Sequence, residues 1–170
     1  MKNVILIGFM GCGKTTVGIR LSYRIRRVLE DTDKRIEREQ GTTISEIFAQ
    51  KGEHHFRELE TDLLKRLVKE NYQRVISTGG GLPMREENRR LLQELGTVVY
   101  LRIKPETVYE RLKDDTTRPL LQCEDPLSKI REMMAQRSPL YEEAAHLIID
   151  VDDKNMEEVL ESITSQIDAN

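Results

Sequence analysis

The clearest chemistry in this sequence lies near its start, where a glycine, four further residues and Gly-Lys-Thr run from Gly8 to Thr15. Glycines at this spacing let the backbone curl so that its N–H groups point at phosphate oxygens. Lys14 would hold the outer phosphates of a nucleotide, and the Thr15 hydroxyl would bind Mg²⁺. A glycine-rich turn that binds nothing would seldom carry Lys-Thr at this offset. The loop therefore predicts binding of a nucleoside triphosphate.

Two aspartates, Asp31 and Asp33, follow at the end of a short predicted second strand. Ligands of open α/β sheets bind at the carboxyl ends of the strands, and residues two apart in an extended segment point to the same side. One carboxylate could hold the metal or its water, and the other could face an acceptor hydroxyl. The alternative is a pair of solvated aspartates that cap the next helix. The phosphate-binding loop upstream favours the functional interpretation.

Arg57 is a further candidate, in the helical region that comes next. Its guanidinium could clamp a substrate carboxylate through two parallel hydrogen bonds. An arginine beside Glu58 and Glu60 also fits an ordinary surface residue. From the residues alone, the surface interpretation is preferred.

Three consecutive glycines, Gly79 to Gly81, follow a buried third strand and would let a ligand or another backbone approach closely. A plain loop is the alternative. No acidic residue stands at this strand end, so Asp31 becomes the preferred partner for magnesium.

The stretch 113–124 has charges and threonines but no convincing period, and it lies between two helices, as a mobile lid would. Arg118 within it could neutralise charge on a transferred phosphoryl group. The helix that begins at Pro126 carries Arg137 close to Pro139. This proline predicts a break or kink of the helix around Arg137.

The elements that must position these residues alternate between apolar strands and amphipathic helices. The predicted strands are Val4–Ile7, Val28–Leu29 leading into Asp31, Arg74–Thr78, Val98–Leu101 and His146–Ile149. This order predicts a three-layer α/β/α domain, a parallel sheet of about five strands with helices on both faces. A helical excursion over about 33–61, with Thr43 to Glu46 as a capping box, suggests an acceptor-binding segment.

Length and composition set the remaining bounds. A chain of 170 residues fits one compact domain, 1–170, with the lid at about 112–124. A net charge of −3 disfavours a role in coating nucleic acid, and no apolar run reaches membrane-spanning length. Two distant cysteines exclude a disulfide scaffold, and a core strand directly after Met1 leaves no room for a signal peptide. We expect a cytoplasmic monomer.

The ordered motifs of the chain resemble those of shikimate kinases. They are the loop from Gly8 to Thr15, Asp31-Thr32-Asp33, Phe56-Arg57-Glu58-Leu59-Glu60, Gly79-Gly80-Gly81, Arg118-Pro119-Leu120-Leu121 and Arg137-Ser138-Pro139-Leu140-Tyr141. The resemblance spans nearly the whole chain. It implies a P-loop kinase fold, similar to nucleoside monophosphate kinases, with sheet order 2-3-1-4-5. It also implies transfer of the ATP γ-phosphoryl group to the 3-hydroxyl of shikimate, in aromatic amino-acid biosynthesis.

The resemblance also implies roles for single residues. It gives the nucleotide a set of contacts: Gly11, Cys12, Gly13, Lys14, Thr15, Thr16, Arg111 on the adenine side and Arg118 in the lid. It assigns Mg²⁺ to Thr15 and to Asp31, which would help to hold the metal hydration shell. It gives shikimate its own set: Asp33 on the hydroxyls and as proton acceptor, Arg57 and Arg137 as a carboxylate clamp, and Gly79, Gly80 and Gly81 as a wall. Lys14, Asp33 and Arg118 would be the catalytic residues.

Three alternatives remain open beside this resemblance. A GTP switch is disfavoured, because the sequence has no Asn-Lys-x-Asp segment to read guanine. A kinase for another small acid or polyol, such as gluconate, or for a nucleotide would share most of the motifs. A nucleotide-dependent binding module without turnover is a different class of protein. One departure from the family, the stretch 26–30 without its usual loop and aromatic, predicts a short or shifted second strand.

Overall fold

A five-stranded parallel sheet forms the centre of the computed structural model, which describes residues 2–115 and 122–168. The strands are β1 (Asn3–Ile7), β2 (Val28–Asp31), β3 (Arg74–Ser77), β4 (Gly96–Arg102) and β5 (Leu147–Asp150). Their order is β2-β3-β1-β4-β5, and every neighbouring pair is parallel. The predicted order is confirmed. The central strand β1 is fully apolar from Val4 to Ile7 because helices cover both of its faces.

Helices in the described part of the chain complete a three-layer α/β/α architecture. They are α1 (Lys14–Arg24), α2 (Thr32–Gln40), α3 (Ile44–Lys69), α4 (Glu86–Leu95), α5 (Pro105–Leu112), α6 (Pro126–Ala144) and α7 (Met156–Asp168), with a short 3-10 helix at Leu82–Met84. None of these helices is long and apolar enough to cross a membrane. Helices α1 and α7 pack together, and α4 packs with α3 and α6.

Side-chain caps fix where several of these helices begin. The Thr43 side chain accepts a hydrogen bond from the backbone N–H of Glu46 at 3.2 Å, so the predicted cap of α3 is confirmed. Asp31 caps α2 in the same way through the backbone N–H of Lys34. Helix α3 is interrupted at Gly52, whose φ of 85° lies in the left-handed region that favours glycine.

A break or a kink was predicted at Pro139, and the break is wrong, because α6 continues through this residue to Ala144. A proline inside a helix costs about 3 kcal/mol through its missing N–H and its steric clash. The turn after it is anchored in the core, since Tyr141 and Ala144 are both fully buried. Arg137 therefore projects from a continuous helix, one turn before Tyr141.

Candidate active site

The phosphate-binding loop joins β1 to α1 and is curled around its own lysine. Gly11 and Gly13 have φ values of 78° and 97°, which favour glycine. The loop carbonyls turn inward, because Lys14 Nζ donates hydrogen bonds to the backbone oxygens of Gly8, at 2.6 Å, and of Phe9, at 3.2 Å. A Cβ at Gly8 would lie 2.8 Å from the carbonyl oxygen of Leu101 on β4, so a larger residue would push the loop off the sheet.

The nucleotide-side residues predicted from the sequence gather around this loop. Arg111, near the end of α5, donates from Nη1 to the carbonyl oxygen of Gly11 at 2.7 Å. Cys12 is buried, and its Sγ lies 3.7 Å from Lys14 Nζ. Thr15 and Thr16 are exposed at the start of α1, where they line a cleft of about 290 Å³. Arg118 lies outside the described residues.

Asp31 and Asp33 line the same cleft, but the backbone that carries them differs from the predicted one. The prediction of a single extended segment is wrong, since Asp31 ends β2 and caps α2 while Asp33 lies in the first turn of α2. The capping alternative is therefore correct for Asp31. Helical geometry still brings the Asp33 carboxylate into the cleft, together with Lys14 and Thr15.

The Asp33 carboxyl is the strongly perturbed acid of this cleft. Burial and the neighbouring Asp31 carboxylate raise its pKa to about 6, while the charges of Lys14 and Arg57 act in the opposite direction. A carboxyl with such a pKa is mostly ionised at neutral pH and is a better proton acceptor than an ordinary aspartate.

The three glycines after β3 form a wall that three charged side chains approach, one at each glycine. A Cβ at Gly79 would lie 2.7 Å from Oδ1 of Asp33, and a Cβ at Gly81 would overlap the guanidinium of Arg57. A Cβ at Gly80 would lie 3.4 Å from Nη1 of Arg137. The three helices α2, α3 and α6 thus bring one carboxylate and two guanidinium groups to the same short stretch of backbone.

Arg57 is not the surface residue that the local sequence favoured. Its side chain is 18% exposed and hydrogen-bonds Oε1 of Glu60 at 2.6 Å, with a second contact to Glu53 at 3.2 Å. The guanidinium also lies 5.3 Å from the ring centroid of Phe56. This geometry holds the side chain against the glycine wall, where its two carboxylate partners balance its charge.

Glu60 is a buried part of the site that sequence reasoning missed. Its side chain is fully buried, and its Oε2 has no hydrogen-bond partner in the described structure. Burial raises the pKa of Glu60, although the adjacent Arg57 acts to lower it. The sequence feature that could have identified Glu60 is its spacing, because a residue three positions after Arg57 lies on the same helix face.

The donor set beside the loop fits a magnesium ion that is shared with phosphate oxygens. Thr15 and Asp31 line this cleft and an adjoining one, which supplies one hydroxyl and one carboxylate. No group of three His, Cys, Asp or Glu residues that could hold a metal occurs in the part of the chain that the structure describes. Mg²⁺ typically binds through one or two carboxylates plus substrate phosphates rather than in an all-protein cage.

Comparison with known proteins agrees with this geometry. The Shikimate kinase family model matches residues 10–168. A shikimate kinase from Bacillus anthracis (strain CDC 684 / NRRL 3495) is 42% identical over 167 residues, which are 98% of this chain and 99% of the relative. One from Dechloromonas aromatica (strain RCB) is 46% identical over 149 residues, 88% of this chain and 81% of the relative.

A solved structure extends the match from sequence to fold. The shikimate kinase from Acinetobacter baumannii in complex with shikimate superposes with a TM-score of 0.91 at 39% identity, covering 100% of this chain and 94% of that one. The chain therefore belongs to the shikimate kinase family, a family of ATP-dependent kinases.

Proposed function

We propose that this chain transfers the γ-phosphoryl group of ATP to the 3-hydroxyl of shikimate, giving shikimate 3-phosphate and ADP in the route to chorismate and the aromatic amino acids. The observation that carries the proposal is the convergence of Asp33, Arg57 and Arg137 on the glycine wall, beside the phosphate-binding loop. Shikimate is a small carboxylate that bears hydroxyls, so two guanidinium groups and one carboxylate suit it. The relative solved with shikimate bound supports this acceptor.

Arg57 and Arg137 bind the acceptor carboxylate in this proposal. Both guanidinium groups face the wall, and Arg137 is also held at 5.8 Å from the ring centroid of Phe9. The acceptor carboxylate must compete with the carboxylate of Glu53 for the Arg57 guanidinium. Glu53 binds Arg57 more weakly than the buried Glu60 does, because Glu53 is exposed and 3.2 Å away. Because Gly79 and Gly81 have no side chains, the Asp33 carboxylate and the Arg57 guanidinium can approach the wall closely.

Asp33 accepts the proton of the attacking hydroxyl. As the new bond forms between this oxygen and the γ-phosphorus, the bond from that phosphorus to the bridging oxygen of ADP breaks. The proton leaves the hydroxyl for the Asp33 carboxylate, whose pKa of about 6 keeps it ionised yet basic near neutral pH.

Lys14 and the loop amides hold the phosphates of ATP. Phosphate oxygens replace the two loop carbonyls that now accept hydrogen bonds from Lys14. Arg111 contacts the adenine side. Arg118, which lies outside the described residues, is assigned to the ATP phosphates in this proposal, with a lid at about 112–124. The residues Gly11, Cys12, Gly13 and Thr16 contribute the remaining loop contacts.

Thr15 and Asp31 would hold Mg²⁺ together with the phosphates, Asp31 by helping to hold the metal hydration shell. When bound, the ion neutralises charge on the β- and γ-phosphates. In this proposal, the chain is a single domain whose segment 33–61 recognises the acceptor. It acts as a cytoplasmic monomer with no nucleic-acid or membrane partner.

A coupled assay of ADP release, with and without shikimate, tests the proposed function on the purified chain. We expect ADP formation to depend on shikimate and on ATP with Mg²⁺, and 31P NMR to show one phosphate ester on the 3-hydroxyl. Gluconate, quinate and AMP serve as the acceptor panel. A rate of ADP release that does not depend on shikimate, or that is higher with another acceptor, would refute the assignment. ATP binding without transfer to any acceptor would instead favour a binding module.

A further inference from the structure

The backbone of the glycine wall is held from outside by buried polar side chains. The N–H of Gly79 donates to the hydroxyl of Thr32 at 3.3 Å. The carbonyl oxygen of Leu82, just after the wall, accepts from the side-chain amide of Asn88 at 2.9 Å. Both Thr32 and Asn88 are fully buried, so these bonds are shielded from competing water. The wall is therefore positioned by neighbouring elements as well as by the backbone hydrogen bonds of its own turn, from Leu82 to Gly79 and from Met84 to Gly81.

Tyr141 holds the middle of the wall. Its hydroxyl donates to the carbonyl oxygen of Gly80 at 2.6 Å, and the whole residue is buried. Tyr141 lies four residues after Arg137 on α6, and both side chains reach Gly80: a Cβ there would lie 3.4 Å from Nη1 of Arg137 and 3.7 Å from the hydroxyl of Tyr141. A phenol has one proton, which points at Gly80, so the lone pairs of its oxygen are left to face the nearby Arg137 guanidinium.

The hydroxyl of Tyr141 thus lies next to two groups with large conformational freedom. Glycine has the greatest backbone freedom of any residue, and an arginine side chain carries about 2 kcal/mol of rotamer entropy. The hydrogen bond from the phenol to the carbonyl oxygen fixes Gly80 next to Arg137, and the positive charge of the guanidinium polarises this bond. Burial raises the pKa of Tyr141 above its ordinary value, which keeps the phenol protonated.

We propose that Tyr141 is a positioning residue for the acceptor, because its hydroxyl holds Gly80 at the point where Arg137 approaches the wall. This inference rests on the proposed function, in which Arg137 binds the acceptor carboxylate. Tyr141 itself need not touch the substrate. Since misplacement by about 1 Å can cost on the order of 100-fold in rate, a single buried hydrogen bond is enough to matter.

Tyr100 provides a matched control in the same aromatic cluster. Its ring lies 5.1 Å from that of Tyr141, centroid to centroid, and it is equally buried. It lines a pocket together with Ser138, away from the wall. Tyr100→Phe therefore removes a comparable buried hydroxyl and reports the purely structural cost.

Steady-state kinetics of Tyr141→Phe and Tyr100→Phe, with thermal unfolding as a check of folding, test the inference. We expect Tyr141→Phe to raise KM for shikimate about 10-fold, as for loss of a hydrogen bond next to a charged group, with KM for ATP within about two-fold of wild type. Tyr100→Phe should keep both KM values within about two-fold of wild type, while its change in Tm should be similar to that of Tyr141→Phe. Equal kinetic effects of the two variants, or an equal rise for ATP, would overturn the inference.

Hydrogen exchange in the ligand-free protein gives a second readout that needs no activity. We expect faster amide exchange over residues 79–84 in Tyr141→Phe than in Tyr100→Phe, because the wall loses its central bond. Unchanged exchange there would refute the positioning role. A wild-type chain without shikimate-dependent turnover would refute the proposed function, while this measurement would still decide whether Tyr141 fixes the wall.

Discussion

The phosphate-binding loop and the acceptor pocket are built in opposite ways. The loop is one continuous stretch, and its lysine bonds carbonyl groups only five and six residues away. The acceptor pocket takes Asp33 and Arg57 from the consecutive helices α2 and α3, and Arg137 from α6, which is far along the chain from both. A local site needs only its own sequence and one strand–helix junction, whereas a distributed site needs the whole fold. Substitutions in the two regions should therefore separate ATP use from acceptor use.

The charges of the two regions also differ. Lys14 is held by neutral backbone oxygens, which phosphates can displace without breaking an ion pair. Arg57 is paired with Glu53 and with the buried Glu60. The acceptor must therefore fit into an existing charge network, and this requirement favours ligands with a well-placed carboxylate.

Asp33→Asn should produce the largest effect in the acceptor pocket. The amide keeps the shape of the side chain but cannot accept the proton, so we expect kcat to fall by about 100- to 10,000-fold. Shikimate affinity should change much less, because both arginines remain. Initial rates and equilibrium binding measure the two quantities separately. Wild-type turnover in this variant would remove the proton-acceptor role.

The pH dependence of the same variant sharpens this prediction. Wild-type kcat/KM for shikimate should fall as the pH drops through about 6, where the Asp33 carboxylate becomes protonated, and Asp33→Asn should lack this limb.

The stability of the protein should depend on pH through the same group. The pKa of Asp33 in the folded state is raised above the unfolded value of 3.8, so the native state binds the extra proton between the two values. Wild-type stability relative to Asp33→Asn should therefore decrease, by at most about 3 kcal/mol, as the pH rises through this window. Urea unfolding of both proteins at several pH values measures this difference in the free energy of unfolding.

Arg57→Ala should weaken shikimate binding by about 2–5 kcal/mol, since it removes one half of the clamp and leaves Glu60 buried without its partner. KM for ATP should stay close to wild type, because the loop contacts are untouched. Lys51→Ala is a suitable control, as this residue is exposed on the same helix. Equal losses for both ligands would contradict the separation of the two regions.

The same contrast explains what the sequence could predict. The loop was identified correctly because its motif fixes both conformation and contacts locally. The strand order and the capping of α3 by Thr43 were also predicted, the first from the family resemblance and the second from residue spacing. Strand bounds differ only by a few residues from those expected.

The burial of Arg57 could not be read from its neighbours, because Glu58 and Glu60 look alike in sequence. Only the packing of α3 shows that one is exposed and the other fully buried. The continuity of α6 through Pro139 likewise depends on the tertiary burial of Tyr141. The bond from Tyr141 to Gly80 joins residues 61 positions apart, a contact that no local pattern contains.

Arg111→Ala should give the smallest effect and the reverse selectivity. The residue is exposed and is tied to the loop by one hydrogen bond to Gly11, so we expect KM for ATP to rise about three- to 10-fold, with KM for shikimate unchanged. Arg131→Ala is the control, since Arg131 is also exposed but pairs with Glu106 at the other end of α5. Titrating each substrate at saturating levels of the other measures both constants. A rise for shikimate instead would show that the loop and the pocket act as one site, and the division drawn between them would fail.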